Sequence, residues 1–267
     1  MSPKCWHGPW PRRPAAEPGR AVPQDLWLLP LFASFAFLGS LVFGLTGFGS
    51  ALVTIPLATH FVPLPFAIAV FSLVDFTSAV RIAAQKPEDA VKPELMRLVP
   101  FVLLGTVIGA TVLVNLPREK GMLALGSFVV IYAVYALFSR PGSTVVSKHW
   151  AYLAGMAGGI TGTVFGAGGP PYVIYLSHRP LSKEQFRATL TLNLVFSLGM
   201  RIAAFTIAGV MLKTEIGVTA LCAFPAAMVG LGFASWVFKR VTRETLLRAV
   251  SVLLFVNGVS LVLRAMG

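Results

Sequence analysis

Three charged side chains fall inside long apolar runs: Asp75, Arg81 and Arg201. A charge in apolar surroundings is costly unless it is paired or used, so each is a candidate for chemistry. Arg201 does not stand alone. Thr189, Asn193, Ser197 and Arg201 follow at successive i+4 steps, which places them on one helix face. Arg201 would supply charge to a small oxyanion, with Asn193 and Ser197 supplying hydrogen bonds. Arg81, preceded by Thr77, offers the same pair of groups, but it lies nearer a segment end and could reach an interface. Asp75 has Ser72 and Ser78 three residues to either side. Burial favours the protonated acid and a nearby arginine favours the carboxylate. Asp75 therefore reads either as a proton-coupling group or as a structural partner of Arg81 or Arg201.

Two glycine-rich breaks form the second constellation. One runs from Gly44 to Ser50 and the other from Gly158 to Pro171, ending Gly168-Gly169-Pro170-Pro171. Two prolines after two glycines cannot continue a helix. A helix that restarts after such a break presents unpaired N–H groups and the positive end of its dipole, a site for an anion that needs no charged side chain. Gly47, Gly49 and Ser50 in the first break, and Gly166, Gly168 and Gly169 in the second, are the candidate donors. The competing reading is close helix packing at small residues. Neither break is a dinucleotide fingerprint. His60 and His178 follow the two breaks at comparable places and read as a proton relay or as helix-end residues. No metal spacing links the histidines, and Cys5 and Cys222 form neither a disulfide framework nor a CxxC pair. Trp27, Trp150, Trp236, Tyr152 and Tyr172 lie mostly near segment ends, as interfacial aromatics do.

The elements that must position these residues follow from composition. Of 267 residues, 56% are hydrophobic and 12% are charged, with mean hydropathy +0.78. Soluble domains carry about 25% charged residues, so a soluble, disordered or fibrous chain is excluded. The net charge of +12 belongs to loops against anionic lipid rather than to nucleic-acid binding. Ten apolar segments are expected, at 26–45, 50–62, 65–85, 98–116, 121–138, 150–165, 168–177, 186–209, 215–238 and 245–265. Eight are long enough to span or nearly so. The two short ones, 50–62 and 168–177, each follow a glycine break. The fold class is all-α, a polytopic integral membrane protein.

The chain also repeats. Arg81-Ile82-Ala83-Ala84 recurs as Arg201-Ile202-Ala203-Ala204 at an offset of 120, the breaks match at 119, and Arg118-Glu119 matches Arg243-Glu244 at 125. The expected organisation is a disordered Pro/Arg-rich tail over 1–25, a first membrane repeat over 26–138, a connecting loop at 139–149 and a second repeat over 150–267. If all ten segments cross, the halves are inverted and most Lys and Arg gather on one face, the cytoplasmic one by the positive-inside rule. If the short segments re-enter, eight helices cross, the halves run parallel and the bias largely vanishes. Internal repeats around a midplane site are a secondary-transporter pattern.

These motifs, from Gly44-Leu45-Thr46-Gly47-Phe48-Gly49-Ser50 with Pro56 to Gly159 through Pro171, each early in its half of a duplicated chain, resemble the sulfite exporter TauE/SafE family over about residues 27–265. The resemblance implies an eight-helix inner-membrane protein that moves sulfur-containing anions such as sulfite, sulfoacetate or related organosulfonates, coupled to an ion gradient. The expectation is an ion-coupled secondary transporter in which one half rocks against the other. An anion channel is the alternative; a less favoured one is an intramembrane hydrolase with Ser50 as nucleophile and His60 as base. The expected partners are a small anion, the lipid bilayer and a coupling proton, with no cofactor, metal or nucleic acid.

Overall fold

A computed structural model describes residues 28–138, 145–237 and eight positions between 252 and 263. The tail over 1–25, Trp27, residues 139–144 of the connecting loop, the Arg243-Glu244 repeat match and much of the tenth segment lie outside the described residues. All regular structure among the described residues is helical: α1 (Leu28–Thr46), α2 (Ser50–Ala58), α3 (Leu64–Ala83), a 3-10 turn at Pro87–Asp89, α4 (Lys92–Asn115), α5 (Arg118–Phe138), α6 (Trp150–Phe165), α7 (Gly169–Ser177), α8 (Lys183–Ile207) and α9 (Thr214–Val237). α1, α3, α4, α8 and α9 are long and apolar enough to cross a membrane, and α5 carries a shorter apolar stretch, Lys120–Ala136. This is a polytopic membrane protein.

Local sequence sets the boundaries. α3 opens after Pro63 with a second proline, Pro65, in its first turn, where a missing N–H costs nothing. α8 opens on a capping box, with Ser182 and Gln185 exchanging side-chain and backbone bonds of 3.1 Å. α4 begins at Lys92, six residues before the apolar run at 98. Pro93 and Glu94 occupy its first turn, where a proline and an acid both suit a helix start.

The glycine breaks turn the chain back on itself. α2 returns along α1: a Cβ on Gly39 would meet Ser50 Oγ at 2.6 Å and Thr54 Cγ2 at 2.3 Å. The start of α1 meets the start of α3 and the loop before it, through Phe32 against Phe66 and Phe35 against Phe61. α7 returns along α6 in the same way. Its end lies beside the beginning of α6, where Val146 N–H donates to the His178 carbonyl at 3.2 Å. α1–α2 and α6–α7 are therefore two hairpins inserted from opposite ends of the bundle. Each short helix rises only about 14 Å, under half the hydrocarbon core. Yet each leads back to the end its long partner came from, so short segments and inverted halves go together. The expectation that re-entry makes the halves parallel is corrected. Lys86, Lys92, Arg97, Lys148, Arg179, Lys183 and Arg187 all sit at one end, tied across helices by Val91 N–H to Thr189 Oγ1 at 2.9 Å and by Arg179 to Glu94.

The long helix of each hairpin packs most extensively on a helix of the other half. α6 runs parallel to α4, with Gly155 beside Leu98 and Thr163 beside Gly109, and α1 runs parallel to α9, with Phe37 beside Gly230 and Gly44 beside Ala234. Gly105 of α4 lies so close to α6 that a Cβ would stand 2.3 Å from the Met156 carbonyl oxygen; Gly230 of α9 stands likewise to the Phe37 carbonyl of α1, at 2.4 Å. The two contacts are related by the repeat offsets of 119 and 125. One turn on, the small residue changes sides: Gly109 faces Thr163 across α4–α6, and Gly44 faces Ala234 across α1–α9. α3 crosses α8 at the centre.

Candidate functional site

The two hairpin tips meet inside the bundle. Gly47, Gly49 and Gly166 have φ of 80°, 90° and 74°, a left-handed backbone that side chains with a Cβ adopt at a cost of roughly 1–2 kcal/mol. A Cβ on Gly169 would touch the Phe48 ring at 3.1 Å, and one on Gly166 would overlap Ile55 Cδ1 at 1.9 Å. Between the tips lies a cavity of about 30 Å³, room for one or two waters. Its lining includes Gly49, Ser50 and Asp75 from one side and Gly166, Gly168, Gly169 and Arg201 from the other.

Asp75 and Arg201 are both buried, at 5% and 3% exposure. Ser50 Oγ donates to Asp75 Oδ1 at 2.7 Å. Arg201 Nη1 donates to Ser72 Oγ at 3.3 Å and to the Gly166 carbonyl at 3.2 Å. Asp75 forms no ion pair within 4.0 Å with either Arg81 or Arg201. The carboxylate and the guanidinium line one cavity without touching. By bonding the Gly166 carbonyl, Arg201 also caps the negative end of α6.

The backbone donors need revision. The N–H groups of Gly47 and Gly166 donate back into the helices they end, to Phe43 O at 2.7 Å and to Thr161 O. They close helix ends and are not directed at the cavity. Gly49, Ser50, Gly168 and Gly169 remain at the starts of α2 and α7, where N–H groups lack partners within the helix. Pro170 and Pro171 carry no N–H, so α7 contributes fewer donors than α2.

Ser197 and Asn193 are buried on α8 but do not line the cavity. Ser197 Oγ is 3.2 Å from the Tyr172 hydroxyl, and both amide atoms of Asn193 are buried without a partner. Tyr172 is not an interfacial aromatic. It is fully buried, in a slot that exists because residue 158 is glycine: a Cβ there would stand 2.1 Å from its ring. Trp150, Trp236 and Tyr152 are exposed. Thr77 and Arg81 point outward; Thr77 bonds its own helix at Val74 O, and Arg81 Nη1 contacts Met228 Sδ at 3.4 Å. The geometry explains this, because residues two and six positions after Asp75 lie on the opposite side of a helix with about 100° per residue. α3 buries the Asp75 face, whereas α8 buries the Arg201 face.

Ser50 and His60 are not brought together. His60 Nδ1 lies 2.9 Å from Pro56 O and its Nε2 lies 3.4 Å from Ser260 Oγ. His178 Nδ1 lies 2.8 Å from Ile174 O. Each histidine folds back onto the end of its short helix. A second buried cluster lies outside the sequence expectations. Glu94 accepts from Arg179 Nε and Nη2 at 3.1 and 3.0 Å, from Arg97 Nη1 at 3.1 Å and from the Tyr175 hydroxyl at 2.5 Å. The charged first turn of α4 masked it, since an acid outside the apolar run reads as loop.

Opposed broken-helix hairpins meeting at a charged cavity define a membrane protein of the transporter kind. The chain belongs to the sulfite exporter TauE/SafE family, whose model matches residues 31–261. It is also similar to the probable inner membrane transporter protein TsaS of Comamonas testosteroni, 23% identical over 165 residues, which covers 61% of this chain and 69% of that protein. No solved structure matches.

Proposed function

We propose that this protein is a secondary transporter of the inner membrane that moves a small sulfur-containing oxyanion, such as sulfite, sulfoacetate or a related organosulfonate. The observation that carries this reading is Arg201, buried at the cavity where the two hairpin tips meet. Gly49, Ser50, Gly168 and Gly169 supply backbone donors, Arg201 supplies charge, and Asp75 carries the coupling proton. The duplicated halves are supported by the exchanged packing of α1 with α9 and α4 with α6. The basic end faces the cytoplasm. A cavity that holds one or two waters is not a continuous pore, which favours a carrier over a channel. Sulfite uptake into proteoliposomes should vanish in Arg201→Ala and lose its dependence on a proton gradient in Asp75→Asn. Uptake unchanged in Arg201→Ala overturns the site.

Alternating access cannot part the two sequence halves, because that would tear the glycine contacts at Gly105 and Gly230. α3 packs with α2 and α9, and α8 packs with α4 and α7. The moving bodies are α1–α2–α3–α9 and α4–α6–α7–α8, which meet at the α3–α8 crossing with Asp75 on one and Arg201 on the other. Cysteines at Phe37 and Phe233, joined across α1–α9, should leave transport intact. Cysteines at Phe76 and Gly199, joined across α3–α8, should stop it. Transport blocked by the first pair and spared by the second would reverse the partition.

A further inference from the structure

Both hydrogen bonds that Arg201 makes to the protein leave from one nitrogen, Nη1, which reaches Ser72 Oγ and the Gly166 carbonyl. Nε is buried without an acceptor. Nη2 lies against α6 at Gly162, where a Cβ would stand 2.7 Å from it. A guanidinium has two kinds of edge, and Nε with Nη2 forms the side-on fork that matches two oxygens of one carboxylate, sulfonate or phosphate group. The protein thus holds the far corner of the guanidinium from two directions and leaves the side-on fork unengaged. Such an orientation is not what α6 capping alone needs, since one Nη satisfies the Gly166 carbonyl.

We infer that the substrate's oxyanion group docks bidentately on the Nε/Nη2 edge of Arg201, and that Ser72 and Gly162 are positioning residues for this edge, Ser72 by accepting from Nη1 and Gly162 by making room for Nη2 itself. This rests on the transporter reading above and names how its site recognises the ligand. The preferred ligand carries two oxygens on one atom, as sulfite and sulfonates do; a single-point anion such as chloride engages only half of the fork.

The test uses the full chain in detergent with sulfite and methanesulfonate as probes, measuring dissociation constants and ligand-free melting. Arg201→Lys keeps the charge and loses the fork. It should weaken both probes about tenfold or more, the loss of one charge-assisted hydrogen bond. Gly162→Ala should weaken both probes similarly by displacing Nη2, and ligand-free melting should fall modestly, because the added Cβ would also stand 3.3 Å from the Gly168 Cα; the affinities are measured on the folded variant. Ser72→Ala should weaken them less, with the loss partly restored in Ser72→Thr. Affinity within twofold in Arg201→Lys, or unchanged in Gly162→Ala, overturns the inference. Normal sulfite uptake with undiminished Arg201→Lys affinity sinks the fork alone. Fork-dependent binding without uptake sinks the transporter reading alone. An unaltered protein that binds neither probe sinks both.

Discussion

Gly166→Ala should lower the thermal stability of the purified protein sharply, by about 2–5 kcal/mol. Two separate effects add. The left-handed φ of 74° costs a residue with a Cβ roughly 1–2 kcal/mol, and overpacking against Ile55 Cδ1 adds about 1–3 kcal/mol. They can be separated because Ile55→Val removes the overlapping methyl. That change alone should cost about 0.5–1.5 kcal/mol. In the double variant, the overlap disappears and the backbone strain stays. A double-mutant cycle should therefore show a favourable coupling of about 1–3 kcal/mol, with a residual penalty of about 1–2 kcal/mol. Additive losses would mean that Gly166 and Ile55 are not in contact, and the tip geometry would be wrong.

Glu94→Ala should be comparably severe for a different reason. Glu94 is 3% exposed and gathers three N–H bonds and one hydroxyl. Removing it leaves Arg179, whose side chain is 18% exposed, with only the Val146 carbonyl at 2.9 Å. Breaking a buried pair costs about 3–5 kcal/mol, and the partial exposure of Arg179 places the expected loss near the lower bound. Arg97→Ala should cost below about 1 kcal/mol, because that side chain is 30% exposed in a local i,i+3 pair and exposed pairs are weak. Melting temperatures in low and high salt give the check. The Glu94→Ala loss should persist in high salt, whereas any Arg97 effect should fade. Replacing Glu94 and Arg179 together by apolar residues should recover much of the loss. A salt-sensitive Glu94→Ala effect would place the cluster at the surface.

Periodicity and punctuation made the helices legible. Glycine pairs, proline pairs and apolar run lengths locate α1 to α9 within a few residues except at the start of α4, which lies six residues earlier, and the four-residue repeat at Arg81 and Arg201 exposes the register between the halves. The i+4 stripe from Thr189 to Arg201 is buried along its whole length, as one polar face on an apolar helix must be to stay hidden from lipid. Its repeat mate was misleading. Repeats conserve spacing, but which face of α3 is buried depends on its neighbours, and Asp75 rather than Arg81 took the inner side. Tyr172 was missed because an aromatic near a segment end looks interfacial; only the gap at Gly158, which is a spatial relation, shows that the ring goes inward. Glu94 was missed because its partners Tyr175 and Arg179 lie more than eighty residues away. The donors at Gly47 and Gly166 were misjudged because sequence shows a break without showing where its N–H groups turn.

The exchanged packing of the hairpins also governs how the chain is made. α1 leaves the ribosome first, but the glycine surface that receives it belongs to α9, almost two hundred residues later. Until Gly230 is synthesised, Phe37 lacks the helix it packs on, although Gly44 can already accept from Arg187 of α8. α4, by contrast, meets α6 after a short wait. The second hairpin can therefore settle during synthesis, while the first stays unsealed until most of the chain is in the bilayer. Long-range closure of this kind is slow to form. It makes the last helices the ones that complete the first, so a chain shortened near its end would lose order at its beginning.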